Sequence, residues 1–182
     1  QSYEESKRIS REQRREAARK DSAALKIAVM PTLDCLPLFV AKERHLFDTL
    51  GADVRLKLFT AQMDCDTAIS HRRVEVVVSD LVRTEHLKDE GTALEYLTAT
   101  NAYWQLLTNR TTRIRQLKGL DDKMVAMARY SVTDLLTDLA TDSAGLNPER
   151  VFKVQVNDVS IRLRMLQNNE MDAMLLTEPQ ES

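Results

Sequence analysis

Apolar residues along this chain come in short continuous runs, and between the runs they fall at helical spacing. LKIAVM (25–30) is a run suited to a strand buried on both faces. LPLFVAKERHLFDTL (36–50) places Phe39, Val40, Leu46, Phe47 and Leu50 on one helical stripe, and Gly51 follows where a C-terminal cap belongs. ADVRLKLF (52–59) alternates through Val54, Leu56 and Leu58 as a strand. Asp64 is placed to cap a helix over 65–72, and VEVVVSD (74–80) reads as the next buried strand. Residues 81–90 are predicted helical and LEYLTAT (94–100) extended.

The second half repeats this order. WQLLTN (104–109) is extended, KMVAMA (123–128) a buried strand, and SVTDLLTDLATDSAG (131–145) a helix. That helix opens on Ser131-x-x-Asp134, the pattern of a capping box, and closes at Gly145. FKVQV (152–156) is a strand. DVSIRLRMLQNN (158–169) is a helix with Val159, Leu163 and Leu166 on its stripe, and DAMLLTE (172–178) is a final strand. Strands alternating with helices of this length predict an α/β fold with parallel sheets. The grammar restarts near 100–105, which divides the chain into a charged leader (1–23), a first lobe (24–101) and a second lobe with hinge strands (102–180).

One phrase is written twice. AISHRRVEVVVSD (68–80) and MLQNNEMDAMLLTEP (165–179) each run from a helical face through a polar elbow to a hydrophobic–acidic pair, Val74-Glu75 and Met171-Asp172. An apolar run and a polar–acidic ending follow. Both mark a helix handing over to a strand whose C-terminal end emits polar residues, which is where open α/β sheets bind ligands.

Composition narrows the function classes. Hydrophobic residues make up 43% and charged residues 30%, enough apolar content for a core. The net charge of −2 shows no basic footprint for nucleic acid. Residues 1–20 hold seven Lys/Arg against four Glu, so that segment reads as a solvated tether or leading helix, with a nucleic-acid arm as the alternative. The longest apolar run, 36–41, is far too short to span a bilayer. With four glycines, at 51, 91, 119 and 145, the chain has neither a dinucleotide fingerprint nor a P-loop. No nucleophile elbow or HExxH is present, and His45, His71 and His86 fall on expected helix surfaces, so no catalytic residue, cofactor or resident metal is expected.

Ligand binding has better candidates. The strand ends supply Thr32, Leu33, Asp34, Cys35, Ser79, Asp80, Tyr130, Ser131 and Glu178, with Asn101 at the crossing between lobes. Ser131 stands at a helix N-terminus, which either offers donors to an anion or polar acceptor or serves only its own cap. Trp104, beside Tyr103, offers a π-face for a flat ligand or packs the hinge. Asp34-Cys35 and Asp64-Cys65-Asp66 put acid at the expected cleft rim, which favours an amine-bearing ligand over an oxyanion. The two thiols could instead pair as a disulfide, bind a metal with the acids, or be buried singly.

Taken together, MPTLDCLPLFVAKERHLFDTLGADVRLKLF, RRVEVVVSDL, LKGLDDKMVAMARYSVTDLL and VNDVSIRLRMLQNNEMDAMLLTEPQ resemble, in this order, substrate-binding proteins of ABC transporters of the nitrate/sulfonate/thiamine-pyrimidine group. The resemblance implies the type II periplasmic-binding-protein fold, with two parallel-sheet lobes joined by a hinge and the first lobe left incomplete by this chain. It also implies a small-molecule ligand, an ABC transporter permease as partner, and a periplasmic or envelope location with an N-terminal lipid anchor. An enzyme of cofactor biosynthesis on the same fold and the effector-binding domain of a transcription regulator are the alternatives.

Overall fold

A computed structural model describes residues 3–100 and 102–179. The charged leader forms a single helix, α1 (Tyr3–Ala23), that buries none of its residues. Exposed i,i+4 pairs line it, such as Glu16–Lys20 at 3.0 Å, each contributing a few tenths of a kcal/mol. Its C-terminal end is tied down: the Asp21 carboxylate accepts from Arg55 at 2.7 Å and Lys57 at 3.3 Å. No helix among the described residues is long and apolar enough to cross a membrane.

The first sheet contains β1 (Leu25–Val29), β2 (Val54–Leu58) and β3 (Val76–Val77) in the order β2-β1-β3, all parallel. Four helices connect and cover it: α2 (Leu36–Glu43), α3 (Leu46–Thr49), α4 (Gln62–Ser70) and α5 (Leu81–Asp89). β1 runs through the middle and buries opposite faces alternately. Ile27 and Val29 pack with Cys35 and Val54, while Ala28 and Met30 pack with Cys65, Ala68 and Ile69.

Three expectations are corrected here. The helix over 36–50 is broken, because His45 turns into the left-handed region at φ 57°; the turn lets Phe47 join Leu38 and Phe39 against the sheet. The strand expected over 74–80 keeps two ladder residues. It lies at the sheet edge, and the backbone of its flanks follows β1 through the Glu75 N–H to Lys26 O and the Val78 N–H to Ala28 O, at 2.9 and 3.2 Å. The stretch 94–100 forms no strand: Leu94 alone packs on the core, Leu97 is exposed, and the Tyr96 hydroxyl donates to Glu85 at 2.6 Å.

The second sheet has the order β4-β7-β5-β6, from β4 (Ala102–Thr108), β5 (Lys123–Met127), β6 (Val151–Gln155) and β7 (Ala173–Pro179). β5 is parallel to both β6 and β7, but β4 runs antiparallel to β7, a departure from an all-parallel expectation. Helices α6 (Val132–Ser143) and α7 (Val159–Gln167) cover it. Gly145 adopts φ +65°, the left-handed cap its position predicts. Leu176 of β7 packs on core residues of both sheets, as does Val159 of α7 on the first.

The repeated phrase is a repeated structure. α4 and α7 each span nine residues, and residues 62 and 159, like 72 and 169, lie 97 apart. Each elbow has one left-handed residue, Arg72 at φ 56° and Asn169 at φ 59°. The next residue in each donates back to the helix at 2.8 Å, Arg73 to Ala68 and Glu170 to Met165. The acid of each phrase then accepts the backbone N–H of the second residue in the sheet's middle strand: Glu75 from Lys26 at 2.7 Å, Asp172 from Met124 at 2.8 Å. This bond, foremost among the causes, holds the Glu75 carboxyl below its usual range. Its stabilisation is therefore present above the ordinary Glu range and lost as pH falls through the depressed value.

Candidate functional site

Polar side chains follow the ends of β1 and β3, and α5, which succeeds β3, packs beside the start of α6. Past β1, Thr32 begins a 3₁₀ turn over Leu33–Cys35 that packs on β7. Leu33 is exposed. Asp34 lies half-buried, and its Oδ1 is enclosed with no hydrogen-bond partner. Cys35 turns inward to the core, 1% exposed, and receives the Thr32 hydroxyl on its sulfur at 3.6 Å.

At the end of β3 the Ser79 hydroxyl accepts from Gln62 Nε2 at 3.2 Å. Asp80 is the N-cap of α5, its Oδ1 accepting the Arg83 N–H at 2.9 Å. Burial pushes the Asp80 carboxyl up; the backbone amides of Arg83 and Val132 and the Arg83 charge act against that rise.

Across from these, Tyr130 adopts φ 56° and lays its ring on His86, with centroids 4.7 Å apart and planes at 20°. Ser131 is buried and caps α6. Its hydroxyl donates to Ala128 O at 2.6 Å and accepts the Thr133 N–H at 3.2 Å. The capping box is displaced by one residue, since Asp134 receives the N–H of Tyr130 at 3.3 Å and not that of Ser131. The Ser131 hydroxyl is thus spent on its own helix.

Arg83 joins the two sheets' structures. Its guanidinium pairs with Asp66 through Nε and Nη2, both side chains about nine-tenths buried, and Nη1 donates to the carbonyl of Arg129 at 2.7 Å. A second bridge stands at the other helix pair, where the Val159 N–H donates to Thr60 O at 3.2 Å and Asp158 faces Ala61. Neither Arg83, His86 nor Asp158 is marked as a site residue by spacing in the sequence, and Asp66 is read there only as part of an acidic rim. Asp66 and Arg83 lie 17 residues apart on different helices, and only the packing of α5 beside α4 brings them together.

The expected acidic rim is smaller than the sequence suggests. Asp64 is exposed within α4, whose N-cap is Ala61, so it does not cap the helix. Asp66 is neutralised by Arg83. Trp104 lies half-buried in β4 opposite Thr177, and Glu178 pairs with Tyr103 in the β4–β7 ladder. Asn101 lies outside the described residues. No three His, Cys, Asp or Glu side chains converge as metal ligands among the described residues.

The cysteines are free and lie on opposite faces of the first sheet, which corrects the disulfide alternative. Burial raises both thiols, with Cys65 pushed up to about 12. A buried thiol this far from its thiolate is a poor nucleophile. In native protein at neutral pH, Ellman's reagent is expected to titrate neither cysteine within minutes and both after denaturation; fast labelling of either in folded protein would contradict this placement.

Among solved structures, the chain is similar to the alkanesulfonate-binding protein SsuA from Xanthomonas axonopodis pv. citri bound to MOPS. The TM-score is 0.67 at 14% identity, covering 85% of this chain and 54% of that one. It is also similar to PhnD1 from Prochlorococcus marinus in complex with methylphosphonate, at a TM-score of 0.61 and 13% identity over 84% of this chain and 63% of that one. A ligand-binding component of an ABC-type import system from Staphylococcus aureus, with zinc bound, gives 0.67 and 14% over 85% and 54%. The chain therefore spans between about half and two thirds of the length of these structures. They establish the fold as that of type II periplasmic binding proteins. No curated protein matches the sequence. The model of the NMT1-like family matches residues 18–182, and the chain belongs to that family.

Proposed function

We propose that this protein is the solute-binding component of an ABC importer, without enzymatic activity of its own, working in the periplasm or cell envelope. Two lobes, 24–101 and 102–180, close on a small polar ligand, and the closed form is handed to the permease. Closure follows from tighter ligand binding to the closed state than to the open one. The ligand is an amine-bearing molecule, such as an aminopyrimidine. Thr32, Asp34, Ser79, Tyr130 and Glu178 line its site, and Trp104 offers a flat wall.

The observation that carries this reading is Asp34 Oδ1, an enclosed acceptor without a donor. An unmatched buried acceptor costs about 1–3 kcal/mol, which a ligand N–H would relieve. The membership of the family and the likeness to import-system binding proteins support the transport role.

A thermal-shift panel on the complete protein, with amines, aminopyrimidines, sulfonates, nitrate and divalent metals, tests it. An amine-bearing ligand at about 100 times its Kd should add about 2.7 kcal/mol, several degrees in midpoint. Asp34→Ala should abolish that shift. A tight sulfonate or nitrate complex, or an amine shift indifferent to Asp34→Ala, would overturn the ligand class.

A further inference from the structure

The first lobe grips the second through α5. This helix packs on α6, and two of its side chains reach the segment that leads into α6. Arg83 Nη1 donates to the Arg129 carbonyl at 2.7 Å. One turn later the His86 ring lies on the Tyr130 ring, with centroids 4.7 Å apart and planes 20° from parallel. Tyr130 is fixed for this contact: its backbone stands in the left-handed region at φ 56°, and its N–H donates to Asp134 at 3.3 Å. Few residues other than glycine adopt that backbone. The two grips differ in chemistry. The guanidinium is about nine-tenths buried, matched by Asp66 and permanently charged. The imidazole side chain is 40% exposed, so solvent protons reach it, and histidine is the residue type that ordinarily changes charge between about pH 5 and 8.

We infer that the His86–Tyr130 stack is a pH-sensitive latch between the lobes, which holds the closed form more firmly when the imidazole gains a proton. The inference rests on the proposed opening and closing of the lobes, and it adds what governs that equilibrium. A cation over an aromatic face is attracted by the ring quadrupole, an attraction the neutral imidazole lacks. The charges around His86 divide by lobe. On α5 itself, Glu90 faces Nε2 at 3.5 Å and favours the proton, with Asp89 and Arg83 three residues away on either side and Arg83 matched by Asp66. These travel with His86, so they act alike in the open and closed forms. From the second lobe come the Tyr130 ring, Asp134, which holds the Tyr130 amide and favours the proton, and Arg129, whose charge opposes it. Only groups that meet His86 on closure bias closure, and among them the Tyr130 ring is the one in contact.

The test follows the distance between the lobes. Ser70→Cys and Glu149→Cys put one spin label on an exposed position of each lobe, while the buried Cys35 and Cys65 stay unlabelled. Double electron–electron resonance then reads the distance at about pH 5 and about pH 8, in the labelled protein and in the same protein carrying His86→Phe or His86→Ala. With His86 in place, the closed-to-open ratio should rise about two- to fivefold at the lower pH, the range of an exposed cation–π contact. His86→Phe keeps a stacked ring that does not titrate, so its ratio should ignore pH. Other groups, such as the Asp80 carboxyl that burial pushes up, are unchanged in that variant, so it controls for them. His86→Ala should lower the closed fraction at both pH values. An equal pH response with and without His86, or distances that pH leaves unchanged, would overturn the latch. The outcome separates from that of the amine panel. A silent panel with a His86-dependent response to pH removes the ligand class alone, and an Asp34-dependent amine shift with no such response removes the latch alone.

Discussion

Replacing Asp66 with alanine is expected to cost about 3–5 kcal/mol of folding stability, the range for removing one partner of a buried ion pair. Asp66 and Arg83 are 7% and 8% exposed, and Asp66 is the carboxylate that takes the guanidinium's Nε and Nη2. The variant leaves a charge in the interior with Nε and Nη2 unmatched, while Nη1 still holds the Arg129 carbonyl. Urea unfolding with an unchanged m-value is the measurement. A loss below about 1 kcal/mol would show that water reaches the guanidinium and that the pair is not buried in solution. Asp66→Ala combined with Arg83→Met should recover part of the loss, because an apolar side chain needs no partner there. Recovery would be incomplete, since the Arg129 carbonyl then loses its donor. In a chain of this size each kcal/mol moves the midpoint by about 2–4 °C, so Asp66→Ala should also melt visibly earlier.

Met174→Ala comes next in size, at about 2–5 kcal/mol. Met174 is 0% exposed in β7, where it stands between Leu107 of β4 and Ala126 of β5. Around it lie Leu166, Met171 and the partly buried Val154 and Leu163. Apart from Met171, in the elbow between α7 and β7, these neighbours belong to strands and a helix that cannot all close on the gap, so a cavity remains. Met124→Ala offers the control: it removes the same atoms from β5 where the side chain is 38% exposed, and should cost less than about 1 kcal/mol. Equal losses at the two sites, measured by chemical denaturation, would mean that the interior of the second sheet repacks freely.

The parts of this fold legible in the sequence are those governed by local chemistry. Gly51 and Gly145 occupy left-handed caps, where glycine carries no Cβ penalty, and Ser131 caps α6 because its hydroxyl reaches the first-turn amide. The middle strands β1 and β5 are apolar on both faces, as buried parallel strands must be. The illegible parts depend on partners distant in sequence. VEVVVSD has the pattern of a full strand, yet Val76 and Val77 alone pair with β1 in the ladder, and LEYLTAT has strand-forming residues with no strand beside it. The antiparallel direction of β4 is written in the pairing with β7 and nowhere in β4 itself.

The candidate site divides the same way. Placing Asp34, Ser79, Asp80 and Ser131 at strand ends requires only the alternation of elements. Their chemical states required the packing. Ser131 looks like a donor until its hydroxyl is seen to be occupied. Asp64 and Asp66, two positions apart, differ completely because one faces solvent and the other Arg83.

The strand order β4-β7-β5-β6 also has a meaning in time. β7 is made last of the four but sits between β4 and β5, so Ala102 finds its partner only when Pro179 has been synthesised. The first sheet, by contrast, has its three described strands by residue 77. A growing chain can therefore pair these three early while β4 and β5 wait as open edges, each able to pair with a wrong strand. The second sheet forms by insertion of the late strand, and the slow, non-local step of folding is placed at that event.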